Sequence, residues 1–122
     1  MAAGSDAVAD DPLGTQLAGW GKVALLETRG RASGRVVRTA VGFVDDGRDL
    51  LVAAGTESTD WALNLRANPD CTITIEDRTA DYTAAEVGDD GRGRAVVALI
   101  LKYGTPAERL GHGPVFRLSP RR

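Results

Sequence analysis

Hydrophobic residues fall in short runs separated by glycine- and aspartate-rich breaks, and most runs alternate or are β-branched rather than recurring every three to four positions. Residues 22–28 (KVALLET) form a short apolar run between glycines, which reads as a strand buried on both faces near its middle. Residues 36–44 are rich in β-branched residues and predict a second strand. Asp45-Asp46-Gly47 supplies a hairpin turn, and residues 49–54 (DLLVAA) a third strand, completing a meander. Residues 71–76 (CTITIE) alternate: Cys71, Ile73 and Ile75 point to one side, Thr72, Thr74 and Glu76 to the other. A turn at Asp77-Arg78 leads to a fifth strand over 79–87, and residues 114–118 (PVFRL) alternate as a sixth.

Two segments read as helices. Ser58 or Thr59 offers an N-cap, Asp60 suits the positive end, residues 61–67 (WALNLRA) give two turns, and Asn68-Pro69 stops them, since a residue before proline avoids helical backbone. Residues 94–103 (RAVVALILKY) have helix length, although their β-branched content leaves a strand open. Residues 13–20 form a short helix or turn with Leu13, Leu17 and Trp20 on one side. Residues 88–93 read as a polar linker, and 107–113 as a connection with room for one helical turn. Residues 1–12 are small and acidic and read as a loosely held arm ahead of one domain spanning 13–122. Six short strands with hairpins predict a mainly β fold with flanking helices, a small closed or partly closed barrel whose openings the two helices cap.

Composition narrows the function classes. The 122 residues carry a net charge of -2, so a whole-surface nucleic-acid binder is not expected, and an aromatic content of 5% argues against stacking platforms for single strands. One cysteine, Cys71, excludes a disulfide framework within the chain, and it reads as a small buried hydrophobe. The single histidine, His112, sits in a Gly-His-Gly turn and offers no cluster for a metal or a triad. Asp89-Asp90 lacks partners for a metal site and reads as a solvated loop. No segment approaches the ~20 apolar residues of a membrane span, and the acidic N-terminus lacks signal-peptide order; a cytoplasmic location is the expectation.

Against that acidic background, Arg29, Arg31, Arg35 and Arg38 crowd around the turn Gly30-Arg31-Ala32-Ser33-Gly34. Positive charge concentrated against the global sign is what an anion site looks like, and arginine suits phosphate and carboxylate. A solvated hairpin tip is the plainer reading of the same turn.

The turn Gly30-Arg31-Ala32-Ser33-Gly34 followed by Arg38-Thr39 resembles the GR-x-SG…RT signature of the deazaflavin-dependent nitroreductase and quinone reductase family. The block Ala53-Ala54-Gly55, Asp60-Trp61, Asn64-Leu65 and Asn68-Pro69 resembles that family's strand end, W…NL helix and NP stop. Gly113 through Leu118 resembles its last strand, so the likeness runs from about Trp20 to Pro120. The resemblance implies a six-stranded split β-barrel of the flavin-binding, pyridoxamine-phosphate-oxidase-like kind. It implies coenzyme F-420, a deazaflavin with a phosphodiester and a polyglutamate tail, rather than FMN. It also implies hydride transfer to a quinone, nitroaromatic or enone, with a fatty-acid- or lipid-binding barrel as the alternative, supported here by the apolar helix at 95–101.

On that resemblance, Gly30, Arg31, Ser33, Gly34, Arg38 and Thr39 hold the anionic handle, with the N–H groups of Ser33 and Gly34 cupping a phosphate oxygen. Gly55 and Thr56 approach the ring or another anion through backbone, and Trp61 either borders the cofactor or anchors the core. Asn64 ties down the adjacent loop. Tyr103, Tyr82, Ser58 or solvent supplies the proton that follows the hydride. Two departures stand out: many relatives have a cation at Ala32, whose loss either Arg35 offsets or a lower cofactor affinity reflects, and a proline at Ala40. Tyr103 is the only tyrosine in the segment that shapes the family's substrate pocket. The resemblance leaves a homodimer and peripheral membrane contact open.

Overall fold

A computed structural model describes residues 21–103 and 113–121; the expectations for 1–12, 13–20 and the connection over 107–112, His112 included, lie outside them. The described chain runs β1 (Ala24–Arg29), β2 (Val36–Val41), β3 (Phe43–Asp46), β4 (Asp49–Ala53), α1 (Asp60–Ala67), β5 (Asp70–Ile75), β6 (Arg78–Glu86), α2 (Asp89–Tyr103) and β7 (Val115–Pro120). Seven strands form one antiparallel sheet in the order β2-β1-β5-β6-β7-β4-β3. The mainly β, split-barrel expectation holds, with seven strands in place of six.

The extra strand comes from Gly42. The predicted strand over 36–44 bends there, and its two halves pair with β1 and β4 at opposite ends of the sheet order. One residue thus joins the two edges and curls the sheet. A side chain would not fit easily: a Cβ at Gly42 would lie 3.2 Å from the ring of Tyr103. The Tyr103 hydroxyl donates to the Lys22 carbonyl at 2.6 Å and accepts from the Phe43 N–H at 3.3 Å, and Lys102 Nζ donates to the Phe43 carbonyl at 2.8 Å. The last turn of α2 therefore pins this corner.

The inner face of the sheet is the main core. Alternation along β1, β4, β5 and β7 directs Leu26, Leu50, Val52, Cys71, Ile73, Phe116 and Leu118 inward. Helix α1 closes one end with Trp61, Ala62 and Leu65; Trp61 packs on Phe116 with ring centroids 6.1 Å apart. Helix α2 does not cap the other opening, as the sequence suggested. Its buried Ala95 and Leu99 pack on the outer face of β3, β4 and β7, against Ala53, Val115, Val44 and Leu51. It is a helix throughout, beginning at Asp89 inside the predicted linker, where the Asp89-Asp90 pair favours the positive end and Arg92 pairs with Asp89 at 2.6 Å. The β5–β6 turn falls at Glu76-Asp77, one residue earlier than expected, with Glu76 at φ 59.

Candidate functional site

The β1–β2 turn is closed by its own backbone. Gly30 N–H donates to the Arg35 carbonyl at 2.7 Å, and Gly34 N–H to the Gly30 carbonyl at 2.8 Å. Gly34 sits at φ +73, where a side chain is strained, and a Cβ at Gly30 would meet Ser33 Oγ at 2.7 Å. The Ser33 hydroxyl accepts from Arg35 N–H at 3.1 Å, and Arg29 Nη1 donates to the Gly34 carbonyl at 3.1 Å. The Gly34 amide, expected to cup a phosphate, is therefore already engaged inside the turn.

Helix α1 fixes this turn in space. Asn64 and Thr28 are each only 2% exposed. Asn64 Nδ2 donates to Thr28 Oγ1 at 3.1 Å, which leaves Oδ1 facing the turn. That oxygen accepts from the Arg31 backbone N–H at 3.1 Å and from Arg31 Nη1 at 2.8 Å. Arg31 Nη2 pairs with Asp60 Oδ1 at 3.2 Å, and Nη1 also approaches the Asp60 carbonyl at 3.4 Å. Among the described residues, the guanidinium Nε–H has no partner, so the fork keeps donor capacity for a further acceptor.

Between turn and helix lies an open cleft of about 290 Å³, lined by Gly30, Arg31, Ala32, Ser33, Val37, Asp60 and Asn64. The structure thus brings together three of the sequence candidates, Gly30, Arg31 and Ser33, with Gly34 shaping the turn behind them. It places the others elsewhere. Arg38 and Glu27 pair at 3.5 Å on the sheet face opposite Val37, and Thr39 is partly buried opposite Leu26. Thr56 N–H donates to Thr59 Oγ1 at 3.2 Å, and its hydroxyl contacts those of Ser58 and Thr59 at the start of α1. Gly55 belongs to that loop, and Trp61 is buried in the core. Thr59 precedes α1 without a side-chain capping bond, its hydroxyl being used by Thr56.

Two polar cleft residues escaped the sequence reading as site residues: Asp60, read as a helix-end charge, and Asn64, read as a tie for the adjacent loop. Asn64 is a tie, but for the distant β1–β2 turn. The available signal was a polar amide three residues after Trp61 on an otherwise apolar helix face.

Other ionisable groups are structural. Burial pushes the Cys71 thiol up to about 12, opposed by the nearby Arg121 charge. Hydrogen bonding to Arg66 holds the Glu86 carboxyl below its ordinary value. Among the described residues no three His, Cys, Asp or Glu side chains converge on a metal-sized site, and no helix is long and apolar enough to cross a membrane.

A curled antiparallel sheet with a helix-braced, arginine-bearing turn at one end defines a split-barrel protein with an open cleft beside that turn. The same architecture occurs in the heme storage protein HutZ from Vibrio cholerae (TM-score 0.72, 23% identity, 92% of this chain and 90% of that one). It occurs in an F-420-H2 dependent reductase (TM-score 0.68, 22% identity, 80% and 94%). It also occurs in a candidate pyridoxamine 5'-phosphate oxidase from Listeria innocua (TM-score 0.65, 14% identity, 94% of both chains). The family model for F-420H(2)-dependent quinone reductases matches residues 6–109, and the chain belongs to that family. Coenzyme F-420 is accordingly its cofactor. The donor set of the cleft fits that group's anionic handle: a guanidinium with an unengaged N–H and a serine hydroxyl whose proton is not used within the turn. The volume suits the handle rather than the whole three-ring system.

Proposed function

We propose that the chain transfers a hydride from reduced coenzyme F-420 to a small electron-poor acceptor, a quinone, nitroaromatic or enone. The observation that carries this reading is Arg31, braced by buried Asn64 at the wall of an anion-sized cleft, in a chain of the F-420H(2)-dependent quinone reductase family. When bound, the deazaflavin supplies hydride chemistry at its central ring. The chain's residues bind and orient. Arg31 and the Ser33 hydroxyl take the phosphodiester, with the turn backbone beside them. Asn64 sets the Arg31 fork at the correct angle, and the Trp61–Phe116 contact seals the barrel end below it.

Of the proton sources weighed, Tyr103 is committed to the Lys22 carbonyl and the Gly42 corner. Tyr82 lies at the opposite end of the barrel. Solvent, reaching the exposed loop at Ser58, is the remaining source. Titration of the purified protein with oxidised coenzyme F-420, against FMN, tests binding. Loss of absorbance of the reduced cofactor on adding a naphthoquinone tests turnover. Saturable F-420 binding with quinone-dependent oxidation is expected; absence of F-420 binding overturns the reading.

One observation favours a lipid-binding alternative. The barrel end away from α1 opens into a cleft of about 290 Å³, walled by Leu50, Ile73, Ile75 and Tyr82. Arg48 and Arg78 stand at its rim with no ion-pair partner among the described residues. That arrangement suits an acyl chain with a carboxylate head. Native mass spectrometry showing co-purified fatty acid, lost in an Arg48→Ala/Arg78→Ala variant, without F-420 binding, supports it.

A further inference from the structure

The cation at the cleft is not offered to a ligand alone. Arg31 Nη2 pairs at 3.2 Å with the carboxylate of Asp60, which also lines the cleft. The two partners of Arg31 differ in kind. Asn64 is buried and held on its far side by Thr28, so its hold on Nη1 is fixed. The Asp60 side chain is 83% exposed at the first residue of α1, and nothing else in the described structure bonds its carboxylate. Asn64 therefore positions the guanidinium, and Asp60 partly neutralises it.

An anion binding at Arg31 must share the fork with Asp60 or displace it, and in both cases it comes to rest within a few ångströms of a negative charge. The cost of that proximity scales with the charge on the ligand. A phosphodiester carries one charge; a phosphomonoester carries up to two, its second pKa lying near 6; the carboxylates of the glutamate tail fall outside a cleft sized for the phosphodiester and are screened by solvent. The geometry points to Asp60 as a specificity-determining residue: it tunes the cleft to the single charge of a phosphodiester and against the double charge of a phosphomonoester. The inference rests on the cleft holding the cofactor's phosphodiester, as argued above. Ala32 belongs to the same logic. An uncharged residue there leaves Arg31 as the cation of the cleft, so one carboxylate is enough to set the balance.

At a half-exposed surface site, a charge pair about 5 Å apart is worth roughly five- to tenfold in affinity for each unit of ligand charge. Asp60→Asn removes the carboxylate charge and keeps its shape. The test is fluorescence titration at pH 8 with FMN (phosphomonoester), coenzyme F-420 (phosphodiester) and riboflavin (no phosphate), on the native protein and on Asp60→Asn, Asp60→Glu and Arg31→Ala. Asp60→Asn is expected to improve FMN affinity roughly five- to tenfold more than F-420 affinity, with riboflavin unmoved. Asp60→Glu is expected to keep the native preference. Raising salt is expected to narrow the difference in FMN-to-F-420 ratio between the native protein and Asp60→Asn, because the carboxylate is solvent-screened.

An unchanged FMN-to-F-420 ratio in Asp60→Asn, or an equal gain for riboflavin, overturns the inference. Arg31→Ala separates the two levels. If it weakens F-420 binding while Asp60→Asn leaves the ratio alone, only the role of Asp60 falls. If Arg31→Ala binds F-420 as well as the native chain, the cleft is not the anion site and the underlying reading falls with it.

Discussion

Asn64 Oδ1 accepts two hydrogen bonds from one residue 33 positions earlier: the backbone N–H of Arg31 at 3.1 Å and its Nη1 at 2.8 Å. A single buried oxygen thus sets both where the turn sits and where its cation points. Stability and binding are coupled at this atom, and the coupling can be measured.

Asn64→Ala leaves the Arg31 amide and the Thr28 hydroxyl without their protein partner, at a cost of about 2 kcal/mol. A lowered urea midpoint with an unchanged slope is the expected result. Asn64→Asp keeps acceptor oxygens for Arg31, and the Thr28 hydroxyl can turn to donate instead. It should lose less stability than the alanine variant; equal losses would show that desolvating the new carboxylate offsets its hydrogen bonds to Arg31.

Arg31→Lys keeps the charge and loses the fork. A lysine ammonium cannot reproduce the planar arrangement that meets Asn64 and Asp60 together. F-420 affinity is expected to fall about tenfold, short of the loss in Arg31→Ala, because charge survives and orientation does not. Fluorescence titration of both variants ranks them.

Two glycines differ in what stands behind them. A Cβ at Gly113 would overlap the Ala54 carbonyl oxygen and lie 2.9 Å from the Thr56 nitrogen, both backbone atoms. Gly113→Ala is expected to cost about 3 kcal/mol, since the β4–β7 junction must shift. At Gly42 the obstacle is the edge of the Tyr103 ring at 3.2 Å, a side chain able to move by a few tenths of an ångström. Gly42→Ala should cost about 1 kcal/mol. Thermal unfolding of the pair decides whether that order holds.

Burial raises the Cys71 thiol from its ordinary 9.0 to about 12. The thiol should resist alkylation at pH 8 until denaturant is added, and mass spectrometry of iodoacetamide-treated protein checks this. The sign of the pH effect follows. Above about pH 9 the unfolded chain gives up the thiol proton while the folded chain retains it, so the contribution to stability is full below 9 and is lost as pH rises toward 12. Cys71→Ala should flatten the alkaline limb of a stability-against-pH curve.

Much of the fold was legible one segment at a time. The alternation from Cys71 to Ile75 put the correct face inward, Gly47 took positive φ at its hairpin, and the helix ending before Pro69 stopped where the proline demanded. These features depend on residues a few positions apart, whose preferences are read directly from their types. Local pattern misled where two outcomes satisfied it equally. The β-branched run over 36–44 makes a good strand whether straight or bent. Only pairing with β1 on one side and β4 on the other, with Tyr103 packed against Gly42, makes it two.

The sequence by itself determined that an arginine-bearing, glycine-closed turn follows the first strand, because glycine conformation and charge density are local properties. What each arginine meets was decided only by tertiary structure. Arg38 faces Glu27 across the sheet, while Arg31 reaches α1, where Asn64 anchors it and Asp60 shares it. The free energy that selects between those fates lies in contacts spanning some thirty residues, which exist once the sheet has curled and α1 has closed its end.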